Sequence, residues 1–257
     1  MGGMEWSDET AEWWLRPFVL PSVDGGRDST NLLTLLRARL ASTRVDFYRL
    51  PFIDRQAVHR RITLGRALNR TARAGGYILA DLSQRHWKLL LGGLPEPPFM
   101  LRRQLPEHEC AGVLAPANLT SAFERSLKWR MLTLGSTGAG MHAHVDFPPT
   151  SSWHLQLAGR KVFQLCPPEG TAASPSCTEV TLSAGESVYY PGGWWHRTSV
   201  LEPWTVSISR RLITPSNAAD VSAAVATFCD EARSLGSHEH LCDALRPCLA
   251  RLRNVWV

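Results

Sequence analysis

The chain has 257 residues, 44% of them hydrophobic, with 28 basic and 23 acidic side chains and a net charge of +5. That is enough apolar sequence to bury one full core without a second domain, and no run of about eighteen apolar residues offers a membrane span. The start, Met1-Gly2-Gly3-Met4-Glu5-Trp6, lacks the basic and apolar regions of a secretory signal, so a soluble intracellular protein is expected, nucleus and cytoplasm being unresolved.

Residues 31–41 carry Leu32, Leu33, Leu35, Leu36 and Leu40 at helical spacing behind a Ser29-Thr30-Asn31 capping region. Residues 45–50 read as a strand. Residues 63–73 read as a helix stopped by Gly75-Gly76, after which 77–80 is extended. In and before that helix lie Arg55, His59, Arg60, Arg61, Arg66, Arg70 and Arg73. A solvated basic face is the plain explanation; nucleic acid or an acidic protein is the functional one, though the interleaved aromatics of a nucleic-acid module are missing. Pro95, Pro97 and Pro98 mark a loop.

From residue 127 the pattern turns to strands at 128–134, 141–147, 153–157, 161–165, 187–190 and 205–209, separated by Gly and Pro. In the last of them Thr205, Ser207 and Ser209 alternate with Val206 and Ile208, so one face of a central strand is polar. In a sandwich that face would meet solvent; in a small barrel it lines a wet pocket. Residues 170–179 read as a loop, and helices are expected at 218–233 and 239–253, broken at Gly236. This helical tail either packs on its own core or forms a homodimer interface.

Cysteines 110, 166, 177, 229, 242 and 248 form no CxxC pair, so reduced thiols are expected. His238, His240, Cys242 and Cys248 can be assembled on paper into a zinc site, but their spacing matches no common zinc module.

Three fragments carry chemistry: His144-Val145-Asp146, Gly159-Arg160-Lys161 and Pro191-Gly192-Gly193-Trp194-Trp195-His196. Residues two apart on a strand share a face, so His144 and Asp146 can present nitrogen and oxygen to one metal while Val145 faces away. With nine His and ten Asp in the chain, an H-x-D triplet arises by chance about one time in three, so it carries little alone. His196 lies too far along for a local loop site and must be returned by another strand; its bland explanation is a buried His in a Gly-Gly turn. Two imidazoles and a carboxylate suit Fe(II) with open positions. Lys161 is one of three lysines among 25 arginines. A compact ammonium reaches down a narrow pocket to a carboxylate where a planar guanidinium does not fit. The alternative for Lys161 is a surface lysine at a strand edge.

The order and spacing of these fragments over roughly residues 77–211 resemble the JmjC branch of the cupin-type oxygenases, closest in flavour to the small hydroxylase and lysyl-hydroxylase-like members. The likeness is densest in His144-Val-Asp-Phe-Pro-Pro-Thr-Ser-Ser-Trp-His154, in Gly159-Arg-Lys161 and in Gly185-Glu-Ser-Val-Tyr-Tyr-Pro-Gly-Gly-Trp-Trp-His196. It implies a mainly β fold: a double-stranded β-helix (jelly-roll) barrel at 77–213, preceded by a helical and strand segment at 1–76 and followed by a helical tail at 214–257. It also implies His144, Asp146 and His196 as catalytic Fe(II) ligands, Lys161 as partner of the distal carboxylate of 2-oxoglutarate, and Tyr77 and Ser209 as further cosubstrate contacts, Ser209 only after a one-residue shift. The chain departs from the family at two places: His154 follows Trp153 where an Asn is common, and Met141 replaces a small hydroxyl residue. His154 is then a cosubstrate donor, a substrate-side group or a fourth nitrogen; His142 raises the same question.

The activity this implies is an Fe(II)- and 2-oxoglutarate-dependent dioxygenase that consumes O2, releases succinate and CO2 and hydroxylates a protein side chain. N-methyl-lysine or arginine demethylation and RNA-base oxidation are alternatives on the same site. A cupin-like metalloprotein of other chemistry, and a non-catalytic interaction scaffold, are the alternatives of other classes.

Overall fold

The computed structural model describes residues 15–22, 28–49, 59–92, 94, 129–168, 177–214, 216–234 and 242–243. Twelve strands are described: β1 (Phe18–Leu20), β2 (Arg44–Tyr48), β3 (His59–Thr63), β4 (Tyr77–Asp81), β5 (Arg130–Gly135), β6 (Gly140–His144), β7 (Ser151–Ala158), β8 (Lys161–Cys166), β9 (Thr178–Leu182), β10 (Ser187–Tyr190), β11 (Trp195–Val200) and β12 (Thr205–Leu212). The described helices are α1 (Ser29–Leu40), α2 (Leu64–Ala74), α3 (Gln84–Leu91) and α4 (Ala218–Ser234). The strands form an eight-stranded sheet, β1-β10-β7-β12-β5-β4-β2-β3, and a four-stranded sheet, β6-β11-β8-β9, with antiparallel pairing throughout.

The main apolar cluster lies on the helix-covered face of the larger sheet. Leu32, Leu36 and Leu40 of α1, Leu64 and Leu68 of α2, and Trp87 and Leu90 of α3 pack on Ile78, Leu132, Leu134, Trp153, Val206 and Ile208. Trp87 meets Trp153 edge to face at 6.2 Å, a favoured arrangement of ring quadrupoles. Since alternate residues of a strand point to opposite faces, burying Val206 and Ile208 under helices turns Ser207 and Ser209 toward the smaller sheet. The polar face of this central strand thus lines the interior, as in a small barrel: Ser207 donates to Gln156 Oε1 at 2.7 Å and Ser209 borders the cavity described below.

Several expectations change in detail. Helix α1 is capped by Asp28, whose carboxylate accepts from the Asn31 amide at 3.1 Å, one residue before the expected cap region. Helix α2 ends as expected at Gly75, whose amide donates to the Thr71 carbonyl. Strands β1, β3 and β9 and helix α3 were not foreseen, β9 begins inside the expected 170–179 loop, and β11 is the strand expected to return His196, for which no range was given. Arg60 and Arg61 stand on β3, while Arg66, Arg70 and Arg73 stand on α2; Arg55, the Pro95–Pro98 loop and most of the second tail helix lie outside the described residues.

The expectation of reduced thiols is overturned at four positions. Cys166 pairs with Cys177, and Cys229 with Cys242. Sequence separation hides such pairs when folding brings strand and helix ends together. Cys242 is thereby removed from the paper zinc site, whose other members lie outside the described residues. No described helix is long and apolar enough to cross a membrane.

At the joint between barrel and tail, the buried side chain of Asn217 donates to Ser151 Oγ at 2.9 Å and to the Leu212 carbonyl at 3.1 Å, while its own oxygen accepts from the Thr214 amide at 2.8 Å. Ser151 Oγ also accepts from the Gly192 amide at 3.1 Å and shares a hydrogen bond with the Tyr189 hydroxyl.

Candidate metal centre and its cavity

His144 ends β6, His196 sits near the start of β11, and the two strands pair with these residues directly opposite each other. A register irregularity between His196 and Thr198 creates this alignment, and the two rings lie 4.1 Å apart. Asp146 follows just beyond β6 rather than on the strand, and Val145 borders the same cavity instead of facing away. Nε2 of His144 and Nε2 of His196 lie 3.8 and 4.0 Å from Asp146 Oδ1, and one donor atom from each residue falls within 4.8 Å of the others.

The imidazole tautomers are set by the backbone. His144 Nδ1 lies 2.9 Å from the His142 carbonyl and His196 Nδ1 lies 3.1 Å from the Trp194 carbonyl. A carbonyl only accepts, so both Nδ1 atoms carry hydrogen and both Nε2 lone pairs face Asp146. Burial pushes the His196 pKa down to about 4, against the pull of the Asp146 charge, so the ring is neutral and ready to ligate near neutral pH.

Asp146 is held from two sides. Ser152 Oγ donates to Oδ2 at 3.0 Å and Arg211 Nη2 donates to Oδ1 at 2.9 Å. Burial alone would raise its pKa; the Arg211 charge and the neighbouring imidazoles outweigh that and hold the carboxyl well below the usual range. Two imidazoles and a carboxylate, with the other faces open to a cavity, form a 2-His-1-carboxylate triad suited to Fe(II).

That cavity holds about 290 Å³. At its far end Lys161, 1% exposed, reaches from β8 across to the larger sheet, donating to the Tyr77 hydroxyl at 2.9 Å and to Thr133 Oγ1 at 3.1 Å. The surface-lysine alternative is thereby excluded. Gly135 stands opposite Tyr77 in the sheet, and a Cβ there would come within 2.7 Å of the tyrosine ring, so the missing side chain makes room for Tyr77. Leu79, Met131 and Met141 give this side of the cavity an apolar wall.

His154 also borders the cavity but lies outside the metal cluster. Its Nε2 meets the Tyr190 hydroxyl at 2.9 Å and its Nδ1 is buried without a partner. Burial and then the Lys161 charge push its pKa well down. His142 supports the triad through its carbonyl, and its ring, outside the metal cluster, lies 5.5 Å from that of His144. Thr133, Tyr190 and Arg211 were missed in the sequence; a threonine between Leu132 and Leu134 was the one available signal, of the same kind as Ser207 and Ser209.

Comparison with known proteins agrees with this picture. No family model matches the chain. It is 30% identical over 154 residues to the lysine-specific demethylase JMJ21 of Arabidopsis thaliana, covering 55% of this chain and 15% of that protein. It is 27% identical over 124 residues to the arginine-specific demethylase JMJ22 of the same plant, covering 36% of this chain and 24% of that protein. The chain therefore spans less than a quarter of either relative's length. Its structure superposes on the Escherichia coli ribosomal oxygenase YcfD with a TM-score of 0.51 at 14% identity, covering 84% of this chain and 54% of that one. Two packed antiparallel sheets with flanking helices make this the JmjC/cupin-like double-stranded β-helix. The chain thus combines this fold with a 2-His-1-carboxylate cluster and partial sequence similarity to two plant demethylases.

Proposed function

We propose that this protein is an Fe(II)- and 2-oxoglutarate-dependent oxygenase that hydroxylates a protein side chain with release of succinate and carbon dioxide. The observation that carries this reading is one cavity with a facial triad at one end and a buried ammonium at the other. The residues fit both groups. Lys161 has two hydroxyl partners and, among the described residues, no carboxylate; a buried cation in that position is completed by an anion.

In this reading His144, Asp146 and His196 hold the iron, three ligands leaving positions open for a chelating keto acid and O2. When bound, iron would activate O2, one oxygen atom of which goes to the keto acid as it loses CO2 to become succinate and the other to the substrate C–H bond. Lys161 holds the distal carboxylate through a charge-assisted hydrogen bond, and the Tyr77 and Thr133 hydroxyls fix the ammonium that makes it. The His142 and Trp194 carbonyls keep both imidazoles in the ligating tautomer. The apolar wall of Leu79, Met131 and Met141 limits water around the reacting centre.

N-methyl demethylation is the second reading, favoured by the names of the two Arabidopsis relatives; it needs the same oxidation, directed at a methyl group on nitrogen. Succinate formation from 2-oxoglutarate with Fe(II), ascorbate and O2 tests the shared chemistry, with Asp146→Ala as control. Succinate that depends on Asp146 supports it. Bound metal in folded protein with no affinity for 2-oxoglutarate points instead to another cupin-type metal chemistry.

A further inference from the structure

Resting on the oxygenase reading, we propose that Arg211 sets the charge of the substrate, so that the site accepts an uncharged or acidic side chain and turns away a methylated ammonium or guanidinium. Arg211 lies near the end of β12, 11% exposed, with its guanidinium on the cavity wall. Three contacts hold it there: Nη2 to Asp146 Oδ1 at 2.9 Å, Nη1 to the Phe147 carbonyl at 3.1 Å, and Nη1 to Thr150 Oγ1 at 3.4 Å. A guanidinium stays charged throughout the working pH range.

The charge balance of the cavity follows from its lining. Lys161 and Arg211 bring two positive charges and Asp146 one negative, while the imidazoles bind a metal in their neutral form. A divalent metal and doubly charged 2-oxoglutarate cancel each other. The loaded site therefore retains one net positive charge. Lys161 faces the distal carboxylate of the keto acid in the proposed arrangement, so the residual charge belongs to Arg211, beside the metal.

A cationic substrate finds no counter-ion there. Asp146 is the sole carboxylate among the described lining residues, and it is already shared between Arg211 and the metal position. A methylammonium delivered to the metal also has to come within roughly 10 Å of Arg211, because Nη2 is 2.9 Å from the Asp146 oxygen, a metal–oxygen bond spans about 2 Å and the substrate nitrogen stands about 5 Å from the metal at van der Waals contact. Phe147, 63% exposed, offers an aromatic face at the cavity, but its own carbonyl anchors Arg211, so a cation on that ring meets the same charge. Within a partly desolvated cavity this repulsion corresponds to about a tenfold loss of binding or more.

The test uses the whole 257-residue chain loaded with Mn(II), which is paramagnetic, and 2-oxoglutarate. Two probes of matched shape are compared, choline and 3,3-dimethylbutan-1-ol, whose nine equivalent methyl protons surround a charged nitrogen in one and a neutral carbon in the other. Relaxation of those protons by the bound Mn(II) reports approach to the metal without any turnover. The neutral alcohol is expected to be relaxed about tenfold more strongly than choline in the wild type. Arg211→Met should close that gap and Arg211→Lys should keep it, which separates charge from a merely structural role of the side chain. Equal relaxation of the two probes in the wild type, absence of both included, overturns the proposal, as does a gap that survives in a folded Arg211→Met. The wild-type comparison stands even if that variant does not fold. Water-proton relaxation measures Mn(II) and cosubstrate binding separately: failure of either to bind refutes the oxygenase reading itself and this inference with it.

Discussion

At the proposed metal end of the cavity the imidazoles of His144 and His196 come from neighbouring strands of one sheet, β6 and β11, whereas at the far end a single side chain, Lys161, crosses from the smaller sheet to two hydroxyls of the larger one. The metal end is therefore a matter of local register and backbone carbonyls. The far end depends on how the two sheets close. One is partly exposed, with the His144 side chain at 23%, and the other is sealed. A site built this way can keep its metal while losing its grip on the keto acid, and the two losses should separate by mutation.

The largest effect is expected from Asp146→Ala. It removes the charged ligand and leaves Arg211 without its carboxylate, so Co(II) binding followed by d–d absorption should vanish and stability should fall by on the order of 3 kcal/mol in denaturant titration. Lys161→Met should act at the other end only. Metal affinity is retained while the 2-oxoglutarate concentration needed for half-maximal succinate formation rises by about a hundredfold, in keeping with loss of a buried charged hydrogen bond. Loss of Co(II) binding in that variant would refute the separation. Tyr77→Phe and Thr133→Val should shift the same requirement by roughly tenfold or less, since each removes one neutral hydroxyl from Lys161.

His154→Asn probes the middle of the cavity. Because Nε2 already engages Tyr190 and the residue stands outside the metal cluster, Co(II) affinity is expected to stay within about twofold of wild type. A large loss would make His154 a ligand after all. The smallest effect is a pH dependence of the metal-free protein. The unfolded chain protonates a histidine near 6.5, but buried His196 resists down to about 4, so the unfolded state gains protons first. Melting temperature should accordingly decline as pH falls from about 6.5 toward 4 and stay level above. The depressed Asp146 acts at lower pH, its contribution fading only below the usual carboxylate range.

Legibility in the sequence follows the same division. His144, Asp146 and His196 sit in short fragments whose spacing speaks for itself once joined, and Lys161 stood out because lysine is scarce among so many arginines. That same abundance concealed Arg211, since one arginine among 25 carries no signal until the fold sets it against Asp146. The partners of Lys161 come from β4 and β5, 84 and 28 residues away, and no local pattern links such positions. Strands such as β1, of three residues, and helix α3, of eight, are too short for periodicity to register. The polar face of β12 was readable because alternation survives over five residues, and packing under helices then decided which way it turned.

Asn217 gives the tail a hold on the barrel that a division at residue 213 does not suggest. Its amide binds Ser151, which in turn receives the Gly192 amide four residues before His196. A side chain at position 192 would run into the Pro149 carbonyl and press on Asn217, so this corner admits little substitution from any of its three segments. A fragment trimmed to 77–213 for expression would discard the hydrogen-bonding keystone beside the turn that delivers His196. The helical tail, though no part of it lines the cavity among the described residues, belongs in any minimal chain meant to bind metal.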